Sequence, residues 1–234
     1  MKQIFFAAIL LFSFHVSAQS DNTLRVQGQS ELEVLPDLMK FNLNFNINAD
    51  TQDESVKELN DLMDQVIIEL KKTGIHQDSI KTDNFRTNVV DNTYRNGKNF
   101  FTSTQQMHFI INADSKQIVT ILNVLSDVKG DFNFSPEPVM SKALKENKEK
   151  ELAAMAFQNA KMQAQILSSV DDFTLGKIKS IDFQIDLPRF QIRGNSSLGE
   201  VVVADYAISK NFGNYNLAPQ TLRKSVWVTY FIEQ

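Results

Sequence analysis

The sequence predicts an α+β fold, a mixed or antiparallel sheet with three main helices packed on it. Short segments of apolar–polar alternation, the pattern of half-buried strands, are spread along the chain. Between them lie three longer segments whose apolar residues recur every three or four positions, the period of a helix with one buried face. The two kinds of segment are mixed without the regular strand–helix–strand rhythm of a parallel sheet.

Leu24 to Leu35 alternates at Leu24, Val26, Leu32 and Val34. Gly28 interrupts this strand, and a glycine there marks a bulge or a close backbone approach. Pro36-Asp37 supplies a turn. In the next strand Phe41, Leu43, Phe45 and Ile47 alternate with Asn42, Asn44, Asn46 and Asn48, one face apolar and the other amide. Thr51 to Thr73 reads as a helix. Thr51 and Glu54 have the spacing of a capping box, in which hydroxyl and carboxylate each take a free backbone N–H. Val56, Leu59, Met63, Val66 and Leu70 form its apolar stripe, and Gly74 ends it as a left-handed residue.

Ile80 to Val90 and Phe100 to Ile111 read as a hairpin with Asn96-Gly97 in its turn. A second helix starts at the N-cap Asp114, buries Ile118, Ile121, Leu122, Leu125 and Val128, and stops at Gly130. Phe132 to Val139 carries two prolines and so belongs at a sheet edge. The third helix runs from Ser141 to about Ser169. Its first half, Lys142 to Glu151, interleaves both charges, the pattern of a solvated face. Its second half carries Ala153, Ala156, Ala160, Ala164 and Leu167, small enough for close approach to a sheet. Leu175 to Ile185 follows as a strand with Phe183 inward. The segment 187–221 is weakly patterned, apart from a possible strand at Val201 to Ile208, and Leu222 to Ile232 closes the chain as a strand.

The N-terminus has a basic start, Met1-Lys2, an apolar stretch from Ile4 to Phe14 interrupted by Ser13, and small residues at Val16-Ser17-Ala18. These are the three parts of a secretory signal peptide. The apolar stretch falls short of the ~20 residues that span a bilayer. Residues 1–18 are thus expected to be removed, leaving one domain over 19–234, exported to the periplasm or outer membrane, with no transmembrane helix in the mature chain. That chain has 23 basic and 28 acidic residues, a net charge of −5, which does not favour nucleic acid. The absence of cysteine excludes disulfides and thiolate chemistry.

The polar residues offer little catalysis. His76 and His108 are the histidines outside the signal peptide, and neither has a helical partner for a metal site. No zinc-protease, nucleophile-elbow or phosphate-loop motif occurs. No enzyme activity, metal or cofactor is expected. Tyr206, Phe190, Phe212 and Tyr215 lie in the weakly patterned segment, where they pack back on the domain or form a contact surface.

A succession of features carries a resemblance. Val26-x-Gly28 leads to Pro36-Asp37. A helix containing Asn60 ends at Gly74-Ile75, and Asp78-x-Ile80-x-Thr82 opens the next strand. Later come Asn159-Ala160 on the alanine-striped helix, Leu175-Gly176-x-Ile178, and Pro219 before the last strand. Their order and spacing resemble the SIMPL-domain family. The chain departs from it at Gln220, where the family has glycine, and over 187–216. Gly28, Pro36, Asp37, Gly74, Asp78 and Gly176 all have structural explanations as backbone or turn residues.

The resemblance implies a bacterial envelope protein linked to tolerance of oxidative stress. One such member, the periplasmic immunogenic protein of Brucella, forms a large ring-like oligomer. The leading expectation is therefore a non-enzymatic, self-assembling envelope protein with a scaffold or protective role. Asn42, Asn44, Asn46 and Asn48, with Phe190, Tyr206, Phe212 and Tyr215, are its candidate interface. The alternative is a periplasmic binding module for a small molecule or peptide.

Overall fold

The computed structural model describes residues 22–91, 97, 99–184 and 215–233. The elements, in order, are β1 (Thr23–Val34), β2 (Leu38–Ala49), α1 (Gln52–Lys72), a short 3-10 turn (Gln77–Ser79), β3 (Lys81–Val90), β4 (Phe100–Asn112), α2 (Ser115–Asp127), β5 (Phe132–Val139), α3 (Lys142–Val170), β6 (Thr174–Gln184) and β7 (Gln220–Glu233). The α+β class and the three helices are as predicted. The strands, however, divide into two sheets, ordered β3-β4-β2-β5 and β1-β7-β6. Periodicity tells which face a residue occupies, not which strand it pairs with. The predicted strand at Val201 to Ile208, the residues 1–18 and Asn96 lie outside the described residues.

Contacts divide the chain into two compact units, each made of discontinuous stretches. The larger comprises 32–149 with the described residues of 215–222, and holds the four-stranded sheet. β2 pairs antiparallel with β4, setting Phe41 opposite Phe109 and Leu43 opposite Met107. The Phe41 and Phe109 rings stack with centroids 5.0 Å apart. β5 pairs with β2 at the sheet edge, as Pro136 and Pro138 require. α1 packs on β2 and β4 through Leu59, Leu62, Met63, Val66 and Leu70, and α2 adds Ile118, Ile121, Leu122 and Leu125. Each large apolar side chain so buried contributes roughly 1.5–3 kcal/mol.

The helix ends explain their own boundaries. The Thr51 hydroxyl accepts the Glu54 N–H at 3.2 Å, as a cap should. The Glu54 carboxylate, though, accepts a hydrogen bond from the Thr51 hydroxyl at 2.9 Å, where a capping box would have it accept from the backbone N–H. Asp114 caps α2 by accepting the Gln117 N–H at 2.8 Å, and Ser141 caps α3 by accepting the Leu144 N–H at 3.1 Å.

The α1 stripe also differs in detail. Val56 is half-exposed, and Ser55 is buried in its place. Ser55 tolerates burial because its hydroxyl bonds the Ser103 hydroxyl at 2.8 Å and the Gln52 carbonyl at 2.9 Å.

The smaller unit, described over 22–31, 150–184 and 223–233, holds the three-stranded sheet and the second half of α3. β6 and β7 pair antiparallel. β1 also runs against β7, since the Asn22 carbonyl accepts the Ile232 N–H while Glu31 pairs with Arg223. Ala156, Ala160 and Ala164 are fully buried against Val26, Val226, Val228 and Tyr230. Leu167, predicted on this stripe, is 45% exposed, and Leu152 is buried instead. Phe183, predicted inward, is 52% exposed along with Ile178 and Ile181. All three share the face of Val226, Val228 and Tyr230, but the alanine stripe of α3 packs on Val26 of β1 and on those β7 side chains, with Leu175 at the start of β6 partly buried against them.

Candidate functional site

The six motif residues occupy separate structural positions. Gly28 lies under α3. A Cβ there would stand 1.9 Å from the Ala156 carbonyl oxygen and 2.6 Å from the Ala160 nitrogen. The strand glycine and the alanine stripe are two halves of one close approach, closed by Gln29 N–H donating to Asn159 Oδ1 at 3.1 Å and the Ser30 hydroxyl to the Leu152 carbonyl at 2.8 Å. Gly74 has φ of +89°, and none of the described residues crowds an added Cβ there, so conformation selects glycine. Gly176 sits where β6 slips register against β7, between Leu175 and Ile178.

Pro36 is buried in the β1–β2 turn, and Asp37 ties that turn down. Its carboxylate accepts the Ser141 N–H at 2.7 Å, and its carbonyl accepts the Ala113 N–H at 2.9 Å. Burial pushes the Asp37 carboxyl up. Hydrogen bonds from the Ser141 hydroxyl, the Ser141 N–H and its own N–H outweigh that and hold it below the ordinary carboxylate range. Asp78 lies in the 3-10 turn, its N–H 3.4 Å from His76 Nδ1.

The amide residues come together as one surface. On the sheet face opposite the helices, Asn42 stands beside His108 and Ser135, and Asn44 beside Gln106 and Asn133. Asn46 and Asn48 stand beside Thr104 and Thr102. Asn44 Nδ2 donates to Asn133 Oδ1 at 3.1 Å, Asn42 Nδ2 to Glu137 Oε2 at 3.4 Å, and the Thr102 hydroxyl to Asn48 Oδ1 at 2.6 Å. The period-two pattern foretold one amide row on β2. The rows on β4 and β5 that extend it into a sheet face follow from the pairing register. Tyr215 is half-buried against the core of this unit, and burial raises its hydroxyl pKa. Phe190, Tyr206 and Phe212 lie outside the described residues.

Sequence reasoning missed a groove on the helix side. It is open to solvent, with a volume of about 620 Å³, and is lined by Gln52, Asp53, Val56, Lys57, Asn60 and Asp61 of α1 and by Phe85 of β3. Phe85 is there because β3 bulges. The register against β4 shifts between Asp83 and Arg86. Asn84 at the bulge has φ of 55° and donates its amide to Gln106 Oε1 at 2.6 Å. The sequence held a signal for this, since Ile80 and Thr82 fall on even positions whereas Phe85, Thr87 and Val89 fall on odd ones. Such a change of phase within a strand implies one extra residue.

Among the described residues, no group of three or more His, Asp or Glu side chains is placed to hold a metal ion. His108 lies 3.6 Å from Asp83, and His76 3.3 Å from Asp78. Among the described residues no helix is long and apolar enough to cross a membrane.

No curated protein matches the chain. Residues 24–222 match the family described as SIMPL, Protein of unknown function (DUF541). The match takes in β2 to β6, nearly all of β1, all three helices and the first residues of β7, together with all six motif residues from Gly28 to Gly176, and on that extent the chain belongs to the SIMPL family.

Proposed function

We propose that this protein is an exported, non-enzymatic envelope protein that self-assembles through the amide face of its four-stranded sheet and serves as a scaffold or protective factor. The carrying observation is the chemistry of that face. Asparagine is disfavoured in strands, yet four stand in register on β2 and continue into Gln106, Thr104, Thr102, Asn133 and Ser135 on its neighbours. Each side-chain amide offers two donors and two acceptor sites. The bonds within the face engage part of that capacity and leave Asn46 and Asn48 exposed. A second copy would supply matching groups, and whole interfaces are little more apolar than ordinary surface. Export rests on the signal-peptide pattern of residues 1–18, and the protective role on the family resemblance.

Light scattering after size exclusion, on residues 19–234 at micromolar concentration, tests the assembly. An oligomer larger than a dimer is expected, and a stable monomer mass overturns the proposal. The double variant Asn44→Asp, Asn46→Asp places like charges on both sides of the contact and should dissociate the oligomer. Unchanged assembly would move the interface elsewhere. N-terminal sequencing of the envelope form should begin at or near Gln19.

A further inference from the structure

We propose that the groove beside Phe85 docks an extended peptide segment, which adds to the free edge of β3 as a fifth strand, rests an apolar side chain on Phe85 and sets a basic side chain against Asp53 and Asp61. β3 is an edge strand, paired with β4 on one side. Among the described residues no strand pairs with its other side. An edge strand facing a helix across a groove is the arrangement in which peptides bind by strand addition: backbone hydrogen bonds supply affinity, and alternate side chains enter the groove.

The details favour a ligand over a simple surface irregularity. The bulge at Asn84 turns Phe85 toward α1, where it is 53% exposed. Bulges commonly serve to re-aim a side chain in this way. Val56, which helical periodicity would have buried, is instead half-exposed on the opposite wall. The two form an apolar floor within a volume of about 620 Å³, in the ordinary range of binding sites. The polar walls are unequal in charge. Asp53 and Asp61 accompany Lys57 in the lining, and Glu54 and Glu58 lie on the same half of α1. The negative balance selects a basic side chain. Lys81, Arg86 and the bulge discourage pairing with a whole foreign sheet. A short peptide needs only the regular stretch Arg86 to Val90, which stays in register with β4 from Thr104 to Phe100.

The test is fluorescence anisotropy with the purified protein and a labelled nonapeptide in which leucine and arginine alternate with threonine. Saturable binding with a Kd of about 10–100 μM is expected, a range in which each tenfold change is readily measured. The same peptide with glutamate in place of arginine should bind at least about tenfold more weakly. Phe85→Ser and the double variant Asp53→Asn, Asp61→Asn should each weaken the arginine peptide about tenfold, while Lys57→Glu should tighten it. Binding should also slow hydrogen exchange at β3 backbone amides, which side-chain docking alone would not do. The proposal is overturned by the absence of saturation up to ~1 mM, by equal binding of the two peptides, or by variants that bind like the parent. Because Lys57→Glu predicts a gain, misfolding cannot mimic it.

Discussion

Replacing Gly28 by alanine tests the contact on which the smaller unit depends. The added Cβ would lie 1.9 Å from the Ala156 carbonyl oxygen, 2.6 Å from the Ala160 nitrogen and 2.8 Å from the Ala160 Cβ. Two of these are backbone atoms, so no rotamer change relieves them. Restoring ordinary contact means moving α3 away from β1 by about 1.5 Å, and overpacking of this kind costs ~1–3 kcal/mol. The displacement also stretches the Gln29–Asn159 and Ser30–Leu152 hydrogen bonds, each contributing about 1 kcal/mol. The expected loss is about 3–5 kcal/mol, a large share of the ~5–15 kcal/mol that holds a typical domain. Gly74→Ala is the control. Among the described residues nothing lies within 4 Å of its added Cβ, and the positive φ alone costs ~1–2 kcal/mol. Urea unfolding followed by circular dichroism measures both. If Gly28→Ala costs no more than Gly74→Ala, the close approach does not carry the stability assigned to it.

Three further substitutions probe the other contacts. Met63→Ala removes a side chain 7% exposed in the main core and should cost ~2–5 kcal/mol; the half-exposed Val56→Ala should cost well under half as much, and the reverse order in urea would show the wrong α1 face. Tyr230 is 6% exposed and its hydroxyl has no hydrogen-bond partner among the described residues, so Tyr230→Phe should be neutral or stabilise by about 1 kcal/mol; a clear loss of melting temperature would reveal a partner for that hydroxyl. Asp37 is held below its ordinary pKa of 3.8 in the fold, so its contribution is present above that value and fades as pH falls through the folded pKa. Asp37→Asn should flatten the acid limb of the stability profile below about pH 4, by less than ~1 kcal/mol because the group is exposed. Superimposable profiles for the two proteins would remove Asp37 from acid unfolding.

Local rules were readable wherever one interaction decided the outcome. The alternation of Phe41 to Asn48 has a single buried solution, and β2 follows it. The prolines of β5 exclude a central position. Gly28 and the alanine stripe were each legible as a sign of close approach, though nothing local says that they meet each other, across 128 residues between Gly28 and Ala156. The misreadings arise where two interactions compete. Ser55 displaces Val56 because a satisfied hydroxyl pair with Ser103 makes its burial tolerable. Phe183 has the right parity for the core, but the alanine stripe of α3 is drawn to the space above Gly28 and packs on Val26, Val226, Val228 and Tyr230 instead. Phe85 lies beyond a change of phase within β3 that a single alternation does not reveal, and the other rows of the amide face depend on register.

The two units are held by different physics, and this leads to a testable difference in their opening. Among the described residues the larger core gathers nineteen buried side chains, Phe41, Phe45, Phe109 and Phe134 among them. The smaller gathers seven, of which three are alanines. Apolar stabilisation scales with the area removed from water, at roughly 25 cal/mol per Å², and a buried alanine removes little. The smaller unit instead relies on backbone proximity at Gly28 and on polar contacts such as Gln29–Asn159 and the Arg25 guanidinium 4.7 Å over Trp227. Contacts of that kind are lost together once α3 lifts, so opening should be cooperative and low in free energy. Native-state hydrogen exchange should therefore show the amides of Val226, Val228 and Tyr230 opening at least ~2 kcal/mol more readily than those of Phe41, Leu43 and Phe109. Both proposed binding surfaces, the amide face and the Phe85 groove, belong to the larger unit, where a stiff scaffold keeps a site preorganised. Equal opening free energies in the two sets of amides would contradict this division of stability, and with it the physical reason for placing recognition on the four-stranded sheet.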